Sequence, residues 1–545
     1  MNNKGRKRHH IALDIPQVSL LWPEGKRDVV KSTASVIWEA DLGLSDLVNA
    51  LSLSSRYLTF VRQVLTALTT DVAVIEWRQA VLNDFVRNPS LVVAAQNLLP
   101  QLANLQSNNA MLGRRQRNLL IDTADHLSRL ESFTQIVKLL HAALHESRLE
   151  SPALRLLHEK MSDLTANPDF QTLQDELPEL RAPLERVRSV TIGINLDLEL
   201  RPISAVLLTI NDHKVSAATS WLERVMGLGA PETTDAGIAP LHFTPESPNE
   251  RILSPLFQDM DQLLTRIAQP IAKSLSRYSR TGSGALSNLE YELAFFTAAA
   301  ALIQRLQAGG VTFCQPVSMP IDVRSMRIQG LVNIALAIAN KTSPVSSDVS
   351  FGDEGRIAVL TGPNSGGKTT YLRSVGLAQV MFQSGLFIPA ASAKLSPVDS
   401  ILTHFPALES RTEGRLAEEA IRLRDIFQRV TPYSLVLLNE TFSSTSAGEA
   451  VYLAFDILCG LRGVGTRAVF ATHLIELVNQ LSDIESAVES DSHLMSLVAG
   501  VELSEDGYII PTYVVAPGQP LGQSYAREIA RRHGISLMQL LPPRP

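Results

Sequence analysis

Residues 361–370 read Thr-Gly-Pro-Asn-Ser-Gly-Gly-Lys-Thr-Thr and contain the spacing G-x-x-x-x-G-K-T. This is a P-loop, and its chemistry is the holding of a phosphate chain. Gly362, Pro363, Asn364, Ser365, Gly366 and Gly367 would wind the backbone tightly enough to aim its N–H groups at phosphate oxygens. Lys368 would reach the β- and γ-phosphates, Thr369 would offer its hydroxyl to Mg²⁺, and Thr370 closes the motif. An apolar run at 357–360 precedes the loop and reads as a buried strand. A helical pattern at 371–383 follows it and would add the positive end of its dipole.

Two further segments complete a constellation for phosphoryl chemistry. Residues 434–440, Ser-Leu-Val-Leu-Leu-Asn-Glu, form an apolar run with two polar residues at its end, the shape of a Walker B strand. Such sites need oxygen ligands and a carboxylate near Mg²⁺ and the attacking water. Asn439 stands where Asp is usual, so it keeps a carbonyl oxygen without the charge and would act on the metal through a bound water. Glu440 is the candidate for polarising the attacking water. Thr472 and His473 end the next apolar run, 468–471, and His473 is a candidate contact to the γ-phosphate or the water. The Ser/Thr run at 441–446 reads as the cap of a helix near Glu449, and 411–429 as an amphipathic surface helix with apolar residues at Leu416, Ala420, Leu423 and Phe427.

The elements that must position these groups follow from periodicity. Residues 44–187 are mostly helical in pattern. Apolar residues at Leu120, Ala124, Leu127, Leu130, Phe133, Val137, Leu140 and Leu144 recur in steps of three and four, which predicts one long helix with a continuous stripe. The period then becomes two: Val190, Ile192, Ile194, Leu196, Leu198 and Leu200 alternate with polar residues or glycine, a half-buried strand, with a second strand at 204–211. Residues 227–250 read as a loop, and helical periodicity returns over 252–307. From 311 onward strands at 357–360, 435–438 and 468–471 alternate with helices, the pattern of a parallel sheet.

Bulk properties bound the rest. At 545 residues the chain exceeds one hydrophobic core, and a hydrophobic content of 45% supports several. The formal net charge of −6 carries no global basic signature for nucleic acid. Two cysteines, Cys314 and Cys459, far apart, argue for a reducing compartment and against a disulfide framework. The basic segment 4–10 lacks the apolar stretch of a secretory signal, and no run reaches the ~18 residues of a membrane span. The expected location is cytoplasmic.

The P-loop with its Gly362-Pro363-Asn364 triplet and the following Tyr371, Leu372 and Arg373 resembles that of the MutS family of mismatch-repair ATPases. The segments 385–390 and 397–401, the order Asn439-Glu440, Thr445-Ser446, Thr472-His473, and the tail 522–530 resemble the same family from 311 to 541. Upstream, 77–82 and the long helices look like its core and lever domains, and the strand insert sits where its clamp would be. The resemblance implies an all-α core and lever with a small β-containing clamp insert, followed by an α/β P-loop domain of ABC type. The boundaries are a lead-in over 1–43, helical core and lever over 44–187, clamp insert over 188–250, returning helices over 251–310, and ATPase domain over 311–545 with a C-terminal dimerisation element.

It further implies ATP and Mg²⁺ as cofactors, a homodimer with two ATPs at its interface, and structure-selective DNA binding. The function expected is an ATP-gated clamp acting on mismatched, branched or distorted DNA in repair or recombination. Lys368, Glu440 and His473 would be catalytic. The helical pattern begins near Leu44, so the family's N-terminal domain with its Phe-x-Glu wedge is not expected, and branched or distorted duplex is favoured over a single mismatch. A C-terminal nuclease domain is not expected either. The family's signature serine is not evident around 413–416, where Arg415 would substitute for it electrostatically. Two alternatives are a nucleotide-binding DNA clamp with little hydrolysis, which Asn439 favours, and a chromosome-organising structural ATPase, which the short, strand-interrupted helices disfavour.

Overall fold

The computed structural model describes residues 18–26, 37–111, 119–185, 189–199, 202–211, 268–278, 283–340, 343–352, 354–406, 415–443, 445–503, 509–520 and the single positions 213, 265, 535 and 540. The expectations for the basic tail, the loop 227–250, the beginning of the returning helices, residues 411–414 and the tail 522–530 lie outside the described residues. The chain divides into two compact units.

The first unit comprises 1–17, 97–143 and 158–287. The predicted stripe is present on the helix Leu119–His145: Leu127, Leu130, Phe133, Val137 and Leu140 are buried. Phe133 meets Phe170 of the helix Pro168–Glu185 edge-on, with ring centroids 6.2 Å apart. Strands β1 (Ser189–Leu196) and β2 (Pro202–Asn211) pair antiparallel, with Val190 opposite Ile210 and Ile194 opposite Ala205. The strand was expected to be half buried, yet Ile194 and Leu196 are 46% and 50% exposed. A two-stranded ribbon supplies no second layer of its own to cover its apolar side.

The second unit comprises 18–96, 144–157 and 288–545. Residues 44–96 therefore group with the α/β region in this division. A buried polar joint explains the grouping. Arg78, on the helix Val72–Arg87, is 1% exposed; its Nε donates to the Leu21 carbonyl at 3.0 Å and a terminal nitrogen to the Gln383 carbonyl at 3.3 Å. Its guanidinium lies 4.4 Å from the centre of the Trp22 ring. Gln383, at the end of the helix Lys368–Gln383, donates to the carbonyls of Thr69 at 2.9 Å and Val398 at 2.8 Å. A buried guanidinium or amide left unpaired is costly, so these bonds hold the preceding helices on the P-loop helix.

Two sheets build the α/β region. The smaller contains β3 (Val317–Ser318), β4 (Met326–Leu331), β5 (Ser347–Phe351) and β7 (Ser392–Leu395) in the order β3-β7-β4-β5. The larger contains β6 (Ile357–Thr361), β8 (Ile401–His404), β9 (Leu435–Asn439), β10 (Arg467–Ala471), β11 (Leu494–Leu503) and β12 (Ile509–Pro517), ordered β12-β11-β6-β10-β9-β8. β11, β6, β10, β9 and β8 are parallel, and β12 returns antiparallel to β11. Every residue of β6, β9 and β10 is buried. That is why they read as continuous apolar runs: a parallel strand covered on both faces cannot alternate. Each fully buried Val or Leu there contributes roughly 1.5–3 kcal/mol. Arg467 ties the two sheets together by donating to the carbonyls of Ser325, Ser396 and Pro397 at 3.2, 3.1 and 3.0 Å. Burial pushes its pKa down to about 9.

Gly385 turns the chain just past the P-loop helix at φ +77°, and a Cβ built on it would lie 2.1 Å from the Arg78 Cβ. Gly385→Ala combines left-handed strain with overpacking and is expected to destabilise the fold by about 3 kcal/mol or more. Denaturant unfolding of the two proteins measures this.

Candidate functional site

The P-loop leaves the C-terminal end of β6, in the interior of the parallel sheet, where α/β folds place their ligands. Gly362, Ser365 and Gly367 have φ of +144°, +65° and +93°. A Cβ on Gly362 would come 2.8 Å from the Ala499 Cβ, so only glycine fits there. Gly367 is the N-cap of the helix Lys368–Gln383 and provides no side-chain cap, so the first amides of that helix are not satisfied by a capping side chain. Such amides form an anion-binding concavity. Asn364 and Ser365 are exposed, while Pro363 and Gly366 are buried.

Lys368 is 4% exposed; its Nζ donates to the carbonyls of Gly362 and Pro363, each at 3.0 Å, and lies 3.7 Å from Glu440 Oε1. Burial lowers its pKa and the Glu440 carboxylate partly restores it. Thr369 Oγ1 donates to Asn439 Oδ1 at 3.2 Å. The P-loop and the end of β9 are thus brought together. Glu440 adopts φ +48° and its N–H donates to the Ala471 carbonyl of β10 at 2.8 Å. Ser446 caps the helix Ala447–Val464, as the Ser/Thr run predicted: its side chain accepts from the Glu449 N–H.

A cavity of about 390 Å³ opens on this constellation, lined by 365–371 and Glu440. His473 is exposed and is not among the lining residues. The far wall was not anticipated from the sequence. Leu331, Leu336, Val345 and Tyr513 line it. Tyr513 reaches the loop because β12 folds back on β11; its Cδ1 would lie 3.4 Å from a Cβ on Gly367. Asn333 donates to the Thr370 carbonyl and Ser374 Oγ at 3.2 and 3.0 Å. A positive φ of 61° at Tyr513 marks the position only in the structure.

The helix Arg415–Phe427 buries Leu423 and Ile426, while Leu416 and Ala420 of the predicted stripe are exposed. Beside it, His404 at the end of β8 is 2% exposed, and its Nδ1 is 3.2 Å from Thr441 Oγ1. Among the described residues no group of three or more His, Cys, Asp or Glu could hold a metal, and no helix is long and apolar enough to cross a membrane.

A P-loop, a Walker B strand and a neighbouring parallel strand in this order define a P-loop nucleotide-binding domain. Residues 358–537 match MutS domain V, and residues 70–309 match the MutS2 N-terminal domain. The chain belongs to the MutS family. It is 26% identical to "DNA mismatch repair protein MutS" of Synechococcus sp. (strain RCC307) over 87% of this chain and 55% of that protein. It is 23% identical to "DNA mismatch repair protein MutS" of Prochlorococcus marinus (strain AS9601) over 84% of this chain and 52% of that protein. Over 36% of this chain it is 36% identical to "Endonuclease MutS2" of Thermomicrobium roseum, covering 24% of that protein. The chain thus spans about half the length of the two MutS proteins.

Burial, reinforced by Arg422, pushes the His404 pKa down to about 4 from an ordinary 6.5. Between those values the unfolded chain takes up a proton that the folded chain refuses, so stability present above pH 6.5 is lost as pH falls toward 4. The loss is expected to reach about 3 kcal/mol. Urea unfolding at pH 7 and pH 4.5, for the wild type and His404→Gln, measures it; the variant is expected to lose less.

Proposed function

We propose that this chain is a DNA-binding ATPase that couples nucleotide binding to its helical regions as a homodimer. The convergence of Lys368, Thr369 and Glu440 on one cavity, with Asn439 bonded to Thr369, carries this reading. The loop amides and Lys368 would hold the β- and γ-phosphates of ATP. For this the Lys368 ammonium leaves the Gly362 and Pro363 carbonyls, exchanging neutral acceptors for charged ones. Leu331, Leu336, Val345 and Tyr513 offer an apolar and aromatic wall suited to a purine base. Thr369 and Asn439 present two neutral oxygens close together. That donor set fits Mg²⁺, which keeps several waters and takes its other ligands from phosphate. When bound, the metal would neutralise phosphate charge. Glu440 would orient the attacking water and accept its proton. His473 would contact the γ-phosphate or the attacking water.

DNA as the ligand follows from family membership, since the chain's charge balance does not select it. Branched or distorted duplex is the substrate proposed, in preference to a single mismatch. A clamp with little hydrolysis is the second reading, favoured by the uncharged Asn439 beside Thr369.

Wild type is expected to release phosphate from ATP, and Glu440→Gln to fall to background; equal rates would leave only the clamp reading. Lys368→Ala is expected to weaken ATP binding about tenfold or more, measured by titration with a fluorescent ATP analogue. In a binding panel with and without ATP, a four-way junction is expected to bind more tightly than matched or mismatched duplex. Preference for the mismatch would overturn the substrate assignment.

A further inference from the structure

Glu440 sits in a backbone that does not hold itself. Its φ is +48°, and Phe442, two residues on, has φ +67°. Neither is glycine, so each left-handed residue costs about 1–2 kcal/mol and persists only where its surroundings enforce it. Three bonds do so. The Glu440 N–H donates to the Ala471 carbonyl at 2.8 Å, Thr441 Oγ1 meets His404 Nδ1 at 3.2 Å, and the Phe442 N–H donates to Glu419 Oε2 at 2.7 Å. The first two come from strands adjoining β9. The third comes from a separate helix and is charge-assisted, the strongest type of the three.

That helix, Arg415–Phe427, is docked by Leu423 and Ile426 into the same core that takes the Phe442 side chain. Glu419, Leu423 and Ile426 follow the i, i+4, i+7 spacing of one helix face. Glu419 is thus the polar member of a buried face, with its carboxylate set on the backbone of the loop that carries Glu440. Glu440 itself lines the phosphate cavity.

We infer that Glu419 is a positioning residue for Glu440: by accepting the Phe442 N–H it holds the left-handed turn that aims the Glu440 carboxylate into the nucleotide cavity. This rests on the ATPase reading above. Glu419 is not among the residues that line the cavity, so its loss is expected to alter the aim of the carboxylate and leave nucleotide binding in place. The required property is the reach of the acceptor oxygen. A glutamine keeps an oxygen at the same distance, whereas an aspartate keeps the charge but falls short by about 1.5 Å, one C–C bond.

Steady-state ATP hydrolysis by the full chain tests this with Glu419→Ala, Glu419→Asp and Glu419→Gln. The alanine and aspartate variants are expected to lose kcat by about 100-fold, as for a misplaced catalytic group, while KM for ATP stays within about twofold. Glutamine is expected to keep kcat within about threefold, because the bond survives without its charge. If the alanine variant does not bind ATP, the aspartate and glutamine pair decides. An aspartate variant as active as wild type, or kcat and KM changing together in all three, would overturn the inference and leave the ATPase reading standing. A wild type no faster than Glu440→Gln would sink that reading and the inference with it.

Discussion

The Lys368 ammonium group is buried against two carbonyl oxygens of its own loop, 3.0 Å from each, with the Glu440 carboxylate 3.7 Å away. A charge in that position is tolerable only because those acceptors surround it; without them, desolvation would drive the proton off. The arrangement keeps the loop wound and the cavity formed while the group retains its charge. A triphosphate would offer stronger acceptors at the same place, so its binding would be an exchange of partners. The geometry of β6, the loop and the following helix all serve to put that one ammonium group at the C-terminal edge of a parallel sheet.

From there the helix Lys368–Gln383 runs into a second buried polar joint. Gln383 and Arg78 pair with the carbonyls of Thr69, Val398, Leu21 and Gln383 itself. One rigid element therefore has the phosphate loop at its beginning and the preceding helices at its end. A displacement of the loop has a continuous packed route to residues 18–96, because close-packed interiors transmit strain and do not absorb it.

The site departs from a fully charged phosphate-transfer centre at one residue. Asn439 bonds to Thr369 through an oxygen that carries no formal charge. Its pull on a divalent cation would be weaker than a carboxylate's, and in the proposed reaction more of the burden would fall on the phosphates themselves and on Glu440. The accuracy of Glu440's placement matters correspondingly more, which gives the strained turn from Glu440 to Phe442 its significance.

Much of this was legible along the chain. The P-loop, the strand before it, the Walker B run and the long amphipathic helix announce themselves through local spacing, because glycine requirements, apolar runs and a 3.6-residue period are properties of neighbouring residues. The pairing of Thr369 with Asn439 was implied but not measurable. The cavity wall from Tyr513 and Leu336, the hold of Glu419 on Phe442, and the membership of 44–96 in the α/β unit were invisible, because each joins residues that only strand order and helix docking bring together. The exposed stretch at Leu416 and Ala420 shows the same limit: periodicity says that a helix has an apolar side, but the neighbour it meets selects which residues are covered. Sequence alone determined the chemistry available, a phosphate loop with a lysine, a threonine and a carboxylate. Tertiary structure decided its aim, because orientation depends on long-range contacts that no local pattern encodes.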